Sequence, residues 1–298
     1  MFIIKHKKIF IGISIALVVL SIFSIFFYGL DAGIDFKGGA LTEISYIETR
    51  PEQNALYEKL EPLGLGSVLI QPTGDMGYII KSRDLTDEEH AALLEAVSFG
   101  GASKFVEQSF NSIGPSVGRE LARKAVVAII LVSLAIIFFI AFAFRRVSRP
   151  VSSWKYGLIA IVALLHDVII PVGIFTVLSH YFGAEADTLF VVAALTILGL
   201  SVSDTIVIFD RIRENLKSEG SKFDFSAVVG RSLEQSFQRS IATSLTVFLV
   251  LLALFFFGPS TTRYFALMLA SGMFFGTYSS IFLASPLLVV WEQWQKRE

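Results

Sequence analysis

The chain has 298 residues, of which 54% are hydrophobic and 17% are charged, and its formal net charge is −1. Soluble domains average about 25% charged residues, so the composition excludes an ordinary soluble protein. The balanced charge gives no indication of nucleic-acid binding. The lack of cysteine excludes disulfides, thiolate metal sites and cysteine nucleophiles.

Six apolar segments predict an α-helical integral membrane protein, because a helix needs about 20 apolar residues to cross a bilayer. The first, 9–30, follows basic residues, and its length favours an uncleaved anchor over a cleaved signal peptide. The others are expected at 125–144, 156–179, 188–209, 240–257 and 264–291.

The short loops predict the orientation of these spans. The connection between the second and third spans is basic and the next one is acidic; the residues are Arg145, Arg146, Arg149 and Lys155 in the former and Glu185 and Asp187 in the latter. The positive-inside rule then places both termini in the cytoplasm and residues 31–118 outside. We therefore expect a multi-pass membrane protein in this orientation.

The segment 31–118 is expected to form one extracytoplasmic domain. Strands are predicted at 41–48, 67–71, 78–83 and 104–110, and helices at 51–62 and 87–97. The order β-α-β-β-α-β indicates an α+β, ferredoxin-like domain between the first two spans. The remaining domains are then 1–30, with the N-terminus and first span, and 119–298, with the other five spans.

The cytoplasmic segment 211–238 contains apolar residues at helical spacing. Phe225, Val229, Leu233 and Phe237 recur every four residues, with polar residues between them. This pattern predicts an amphipathic helix lying along the inner interface and leading into the fifth span. An ordinary helix packed on its neighbours explains the pattern equally well.

Two ionisable residues inside the spans predict an ion-coupling pair. Asp204 lies six residues before Asp210 at the cytoplasmic boundary, which is ~9 Å into the membrane. Arg239 begins the fifth span from the same side, so we expect it to reach Asp204. Nearby hydroxyls that could extend a polar path are Ser201, Thr205, Thr243 and Thr246. The alternative is a fixed salt bridge that only holds helices together.

His166 and Asp167 lie in the third span and are supporting candidates for ion coupling. Adjacent helical residues point about 100° apart, so we expect them not to face one point and not to form a two-ligand metal site. The alternative for His166 is a hydrogen bond between helices. We expect no cofactor, since no nucleotide-binding or hydrolase motif is present.

Small residues repeat every four positions in the sixth span, at Gly272, Gly276, Ser280 and Ala284. Such a ladder lets another helix approach closely. We expect a partner subunit of similar fold, packed through spans that carry small residues.

Several motifs resemble those of the SecF subunits in the SecD/SecF family. They are Gly33-Ile-Asp-Phe-Lys-Gly-Gly39, Ile113-Gly-Pro-Ser-Val-Gly118, His166-Asp-Val-Ile169, Asp204-Thr-Ile-Val-Ile-Phe-Asp-Arg-Ile-Arg-Glu-Asn215, Arg239 with Thr243-Ser244, and Gly276-Thr-Tyr-Ser-Ser-Ile281. The resemblance covers nearly the whole chain. Ser203 departs from it, standing where the family usually has Asn, as does Lys37-Gly-Gly-Ala40, which lacks the usual hydroxyl residues.

The resemblance implies an auxiliary subunit of Sec protein export in the bacterial inner membrane, related to the resistance–nodulation–division transporters. Such a subunit uses a proton or sodium motive force in late steps of preprotein translocation. Implied partners are a SecD-like subunit, the SecYEG channel, SecA, YajC, YidC and the preprotein, with no nucleic acid. Asp204 and Arg239 match positions that the family links to proton passage. The resemblance also implies an outer domain that moves, and we expect its hinges near Gly33 and Gly114.

Three rival functions remain at this point. The first is a half-unit of a drug or lipid transporter in the same superfamily. The second is an intramembrane aspartyl protease using Asp167 and Asp204, although the Gly-x-Gly-Asp signature of that class is missing. The third is a structural scaffold without ion coupling. We expect a transport accessory subunit rather than an enzyme.

Overall fold

The structure is a computed structural model that describes residues 2–143, 153–218 and 224–295. The chain divides into two compact units, one of Met1–Asp31 with Ala128–Glu298 and one of Ala32–Val127. Arg145, Arg146 and Arg149, which contribute to the predicted orientation, lie outside the described residues.

Within the described residues, six helices are long and apolar enough to cross a membrane. We number them as spans 1 to 6: Lys7–Tyr28, Pro115–Ala143, Ser153–Phe182, Thr188–Ser218, Phe225–Phe257 and Arg263–Gln295. The prediction of a multi-pass helical membrane protein is therefore confirmed. Spans 2, 4 and 5 extend well beyond the predicted apolar runs, because backbone hydrogen bonding in a helix does not stop where the side chains become polar.

The described parts of the segment 211–238 belong to the end of span 4 and the start of span 5. Phe225, Val229 and Leu233 are buried in the main apolar cluster, together with Ile212 of span 4. Asn215 Nδ2 also donates to Ser232 Oγ at 2.8 Å. A helix lying free along the interface is thus wrong for this part, since its apolar face packs on its neighbours. Phe237, which is 42% exposed, is the exception.

Span 6 is interrupted by a π-helical turn, Ser280–Ala284, between the α-helical segments Arg263–Ser279 and Ser285–Gln295. The small-residue ladder of this span faces span 4 of the same chain. A Cβ atom on Gly276 would lie 3.3 Å from Ser201 Cβ, and one on Gly272 would clash with Ile197. The expectation that these positions of the ladder pack a partner subunit is therefore wrong.

The Ala32–Val127 unit contains a four-stranded sheet and two helices in an α+β arrangement. The strands are β1 (Gly39–Tyr46), β2 (Leu69–Thr73), β3 (Gly77–Ser82) and β4 (Phe105–Ile113), and the helices are α1 (Gln53–Leu60) and α2 (Asp87–Val97). The strand order is β2-β3-β1-β4 with antiparallel neighbours. Its core includes Ile44, Leu56, Leu60, Ile80 and Leu93, all fully or almost fully buried.

The glycine-rich segment after span 1 crosses the start of span 2 at close range. Gly38 has φ +83°, and a Cβ there would lie 2.8 Å from Pro115 Cα. A Cβ on Gly118 would lie 2.8 Å from the Gly38 nitrogen. Only glycine permits both the backbone angle and this approach. A hinge near Gly33 or Gly114 would therefore have to move two chain segments that touch.

Candidate functional site

Asp204 lies on span 4 and is bonded by hydroxyls from two other spans. Its Oδ2 accepts a hydrogen bond from Thr277 Oγ1 of span 6 at 3.1 Å and a longer one from Ser244 Oγ of span 5 at 3.4 Å. These two hydroxyl oxygens are themselves 2.5 Å apart. The half-buried carboxylate therefore connects three spans through neutral groups.

Arg239 does not pair with Asp204, which corrects the sequence-based expectation. Within the described ranges, no ion pair joins the two residues, and Arg239 is exposed on span 5. The inward face of this helix carries Ser236, Ser240 and Ser244 instead. Because adjacent helical residues differ by about 100°, Arg239 points away from the face that holds Ser240.

Thr243 and Thr246 lie on the same exposed side of span 5 as Arg239. Each hydroxyl donates to a carbonyl of its own helix, Thr243 to Arg239 at 3.0 Å and Thr246 to Ala242 at 2.8 Å. Their predicted part in a path beside Asp204 is therefore not seen. Within this chain, Ser244 fills that position.

Asp167 of span 3 has no solvent exposure, and both of its carboxylate oxygens are hydrogen-bonded. Oδ1 lies 2.8 Å from His166 Nδ1. Oδ2 accepts from Ser279 Oγ at 2.7 Å and also from Ser201 Oγ. Two hydroxyls and one imidazole, from spans 3, 4 and 6, therefore occupy both oxygens of this carboxyl group in a site closed to solvent.

The contact between His166 and Asp167 overturns the expectation that adjacent residues would point apart. The helix directs their Cα–Cβ bonds in different directions, but the imidazole is long enough to reach the neighbouring carboxylate. Ser201, which was expected beside Asp204, donates a hydrogen bond to Asp167 instead. Thr205 bonds Ser280 of span 6 at 2.8 Å rather than Asp204.

Four hydroxyl residues of the cluster were not predicted as site residues: Ser244, Thr277, Ser279 and Ser280. The signal was present, since three of them belong to the motif Gly276-Thr-Tyr-Ser-Ser-Ile281. Of the four, only Ser280 entered the sequence-based interpretation, as a small residue of the packing ladder in span 6. Their hydroxyls become significant only once spans 3 and 4 place carboxylates against them.

The arrangement joins two carboxylates, one imidazole and several hydroxyls in the interior of spans 3 to 6. Among the described residues no group of three or more His, Cys, Asp or Glu could hold a metal ion. Carboxylates and imidazole exchange protons readily. Ionisable groups inside a membrane cost free energy, so their presence indicates a functional site. The chemistry of the cluster suits binding and release of a proton or a small cation.

Comparison with known proteins identifies the family. The family model described as "Protein export membrane protein SecD/SecF, C-terminal" matches residues 94–294. The protein translocase subunit SecF of Thermobaculum terrenum is 41% identical, over 97% of this chain and 93% of that relative. The chain belongs to the SecD/SecF family. The SecF subunit of Anaerolinea thermophila is 36% identical, over 99% of this chain and 95% of that relative.

A solved structure of the SecD/SecF family also resembles the chain. The crystal structure of SecDF, a translocon-associated membrane protein from Thermus thermophilus, superposes with a TM-score of 0.82 at 32% identity and covers 97% of this chain. The chain spans 38% of the length of that SecDF chain. A second SecDF structure, in a super-membrane-facing form, superposes with a TM-score of 0.67.

Proposed function

We propose that the protein is an auxiliary subunit of Sec protein export that couples a proton or sodium motive force to late steps of preprotein translocation, with Asp204 as the ion-binding carboxylate. One observation carries this proposal. Asp204 is a membrane-embedded carboxylate that is held by hydroxyls and is without an ion pair in the described part of the chain. A carboxylate fixed by a salt bridge could not change its charge easily, whereas this one can.

Arg239 supports a partner subunit for the same function. It is exposed on a span, together with Thr243 and Thr246 of span 5 and Ser203 of span 4. A charged side chain facing hydrocarbon is costly, so these groups require a protein surface against them. A SecD-like subunit with its own set of spans fits, since the related SecDF chain is much longer than this one. Arg239 would then meet its acidic partner across that interface or after a conformational change.

The topology and the outer domain complete the proposal. Charge asymmetry of the loops favours cytoplasmic termini and an extracytoplasmic position for residues 31–118. The antiparallel strand order β2-β3-β1-β4 with two helices supports a ferredoxin-like assignment of this unit. In that position it could contact preprotein emerging from a channel such as SecYEG, with SecA, YajC and YidC as further partners of the machinery.

The hydrogen bonding of Asp167 argues against the aspartyl protease. Such an enzyme needs two carboxylates that share a reactive site. Both oxygens of Asp167 are instead occupied by side chains of this chain, and the residue has no exposure. The transport function is therefore the better explanation of Asp204.

The test is export of a model preprotein into inverted membrane vesicles that contain this protein and its SecD-like partner, with and without a proton or sodium gradient. Asp204→Asn keeps the size of the side chain and removes its charge. We expect assembly with the partner to persist and the stimulation of export by the gradient to be lost. Arg239→Lys should fall between wild type and Arg239→Ala, because lysine keeps the charge but lacks the planar fork.

Asp210→Asn is the matched control for Asp204→Asn. Asp210 lies on the same span, is exposed, and pairs with Arg213 at 3.2 Å. Its removal should leave the response to the gradient intact. If Asp204→Asn responds to the gradient like wild type, Asp204 is a structural residue and the coupling proposal fails.

A further inference from the structure

We propose that His166 and Asp167 form a second proton-holding site, in which His166 Nε2 takes up the proton and Ser279 transmits the change of charge to the π-helical turn of span 6. The inference rests on the proposed function for its link to transport. The site itself is defined by contacts that do not involve Asp204.

The hydrogen bonds of Asp167 fix the state of His166. Ser201 and Ser279 both reach Oδ2, so Oδ1 is left for His166 Nδ1. If Asp167 is ionised, Nδ1 carries the hydrogen and donates it, and all the groups around the carboxylate are satisfied. If Asp167 carried a proton on Oδ1, Nδ1 would accept it and a buried Nε2–H would lack an acceptor, which is costly. The structure therefore favours a charged Asp167 beside a neutral imidazole.

The second imidazole nitrogen is the point of proton entry. His166 is 3% exposed, and its Nε2 has no hydrogen-bond partner in the described part of the chain. In the favoured tautomer this atom presents a free lone pair. A proton that binds there makes an imidazolium with Asp167 already at its other nitrogen, and this carboxylate offsets the cost of an Nε2–H that has no acceptor. The charge of the pair then changes from −1 to zero, and release of the proton restores it.

Aromatic rings line the imidazole and would stabilise its charged form. The Tyr278 ring is stacked on it with centroids 6.1 Å apart, and Phe275 presents an edge-to-face contact at 6.4 Å. A cation near the face of an aromatic ring is attracted by the ring quadrupole. Both centroids lie just beyond the ~6 Å range of a cation–π contact, so Asp167 contributes most of the stabilisation of the imidazolium.

Few other ionisable groups face the pair. Span 4 contributes Asp204, whose carboxylate interacts electrostatically with Asp167, and span 6 contributes Tyr278. The buried face of span 1 offers only hydroxyls, Ser14, Ser21 and Ser24. The last segment of span 6 meets span 3 at Trp154, about three helical turns before His166. Neutralising the pair would thus be felt mainly at Asp204.

The hydroxyl of Ser279 has two hydrogen-bond acceptors, and through the second one a change of charge at Asp167 can affect span 6. Its hydroxyl lies 2.7 Å from Asp167 Oδ2 and 3.0 Å from the Gly276 carbonyl. One hydroxyl hydrogen cannot serve both fully, so a weaker acceptor at Asp167 turns it toward Gly276. That carbonyl also accepts from Ser280 at 3.0 Å, the first residue of the π-helical turn. Ser279 and Ser280 therefore compete for this carbonyl, and a change in their hydrogen bonds would act on the π-helical turn of span 6.

The experiment is ¹⁵N NMR of histidine-labelled full-length protein in lipid nanodiscs, with the His166 signals assigned by their loss in His166→Gln. We expect a neutral imidazole with its hydrogen on Nδ1 near neutral pH, and protonation of Nε2 on acidification. Asp167→Asn removes the charge that stabilises the imidazolium, so its midpoint should fall by about one pH unit or more. Asp210→Asn, on an exposed carboxylate of span 4, should leave the midpoint unchanged.

Three results would overturn the proton site: a neutral tautomer with its hydrogen on Nε2, an imidazole that stays neutral until the protein unfolds, or an unchanged midpoint in Asp167→Asn. If Asp167→Asn does not fold, the position of the hydrogen on the neutral imidazole of the wild-type protein is the test of the proton site. Ser279→Ala removes a donor to Asp167 but leaves the contact between His166 and Asp167, so the imidazole should still take up a proton while the response of export to a gradient weakens. A full response would refute the link to span 6. Since the NMR measurement involves no export, it stands or falls separately from the Asp204→Asn test.

Discussion

The Ala32–Val127 unit and the bundle of spans place their polar side chains in opposite ways. In the former, the centre is apolar, with Leu56 and Leu93 fully buried, and the ion pair of Arg83 with Glu89 lies at the surface. In the bundle, Phe257 is 90% exposed while Asp167 is fully buried. The same degree of exposure thus means contact with water in one unit and with lipid or a partner subunit in the other.

The largest expected effect tests the apolar centre of the outer unit. Leu56→Ala removes a fully buried side chain of α1 and should reduce the free energy of unfolding of this unit by about 2–5 kcal/mol. Leu69→Ala, on β2 and 45% exposed, should change it by less than about 0.5 kcal/mol. Hydrogen exchange of the sheet amides in the full-length protein measures both. Equal losses would contradict the assigned core.

The next prediction compares two exposed apolar side chains in different surroundings. Leu131 of span 2 is 60% exposed and Val106 of β4 is 50% exposed. Leu131→Arg should raise the apparent free energy of membrane insertion by about 3 kcal/mol, because arginine near the middle of a span is costly. Val106→Arg should alter the stability of the outer unit by less than about 0.5 kcal/mol. An insertion assay for span 2 measures the first and hydrogen exchange the second. Unimpaired insertion of Leu131→Arg would show that this face does not meet hydrocarbon.

A third prediction concerns close packing between spans, which replaces the hydrophobic effect inside a membrane. A Cβ on Gly173 of span 3 would lie 2.6 Å from Ser21 Cα of span 1, whereas one on Gly199 of span 4 meets nothing within 4 Å. Gly173→Leu should destabilise the bundle by about 1–3 kcal/mol. Gly199→Leu serves as the control and should be tolerated. Thermal unfolding in detergent distinguishes them, and similar melting temperatures would refute the contact.

The smallest effect concerns the start of α2. Hydrogen bonds from Arg83 and from the Thr86 backbone lower the pKa of Glu89 to about 2. The charged carboxylate therefore contributes stability above its unfolded pKa of 4.5, and this contribution is lost as the pH falls toward 2. Glu89→Gln should be less stable than wild type at pH 7 and equal to it near pH 2. An undiminished difference at pH 2 would show that the charge of Glu89 is not the cause.

Local patterns predicted most of the fold. α2 was predicted with the bounds that the structure gives, Asp87–Val97, and the structure shows a capping box of Thr86 and Glu89 that fixes where the helix begins. The spans were predicted because their apolar runs are long. Their ends were predicted less well: span 5 begins at Phe225, where tertiary packing of Val229 and Leu233 prolongs the helix.

The candidate site could be predicted only in part. The residue types were evident, since Asp167, His166 and Asp204 are ionisable groups in apolar runs. Their partners were not, because Arg239 and Ser240 are neighbours in sequence but differ by about 100° around the helix, so that Ser240 is buried and Arg239 is exposed. Helical rotation is set by the packing of all spans together, which local sequence does not express.

By itself, the sequence determined that the chain spans a membrane six times, carries an α+β unit and places carboxylates within its spans, because hydropathy and periodicity are local properties. Only the tertiary structure decided that Asp204 is hydrogen-bonded to Thr277 and Ser244. The same holds for the hydrogen bonds of Asp167 with Ser201, Ser279 and His166. These hydrogen bonds join residues far apart in the chain over distances near 3 Å, so they depend on the relative rotation and translation of whole helices.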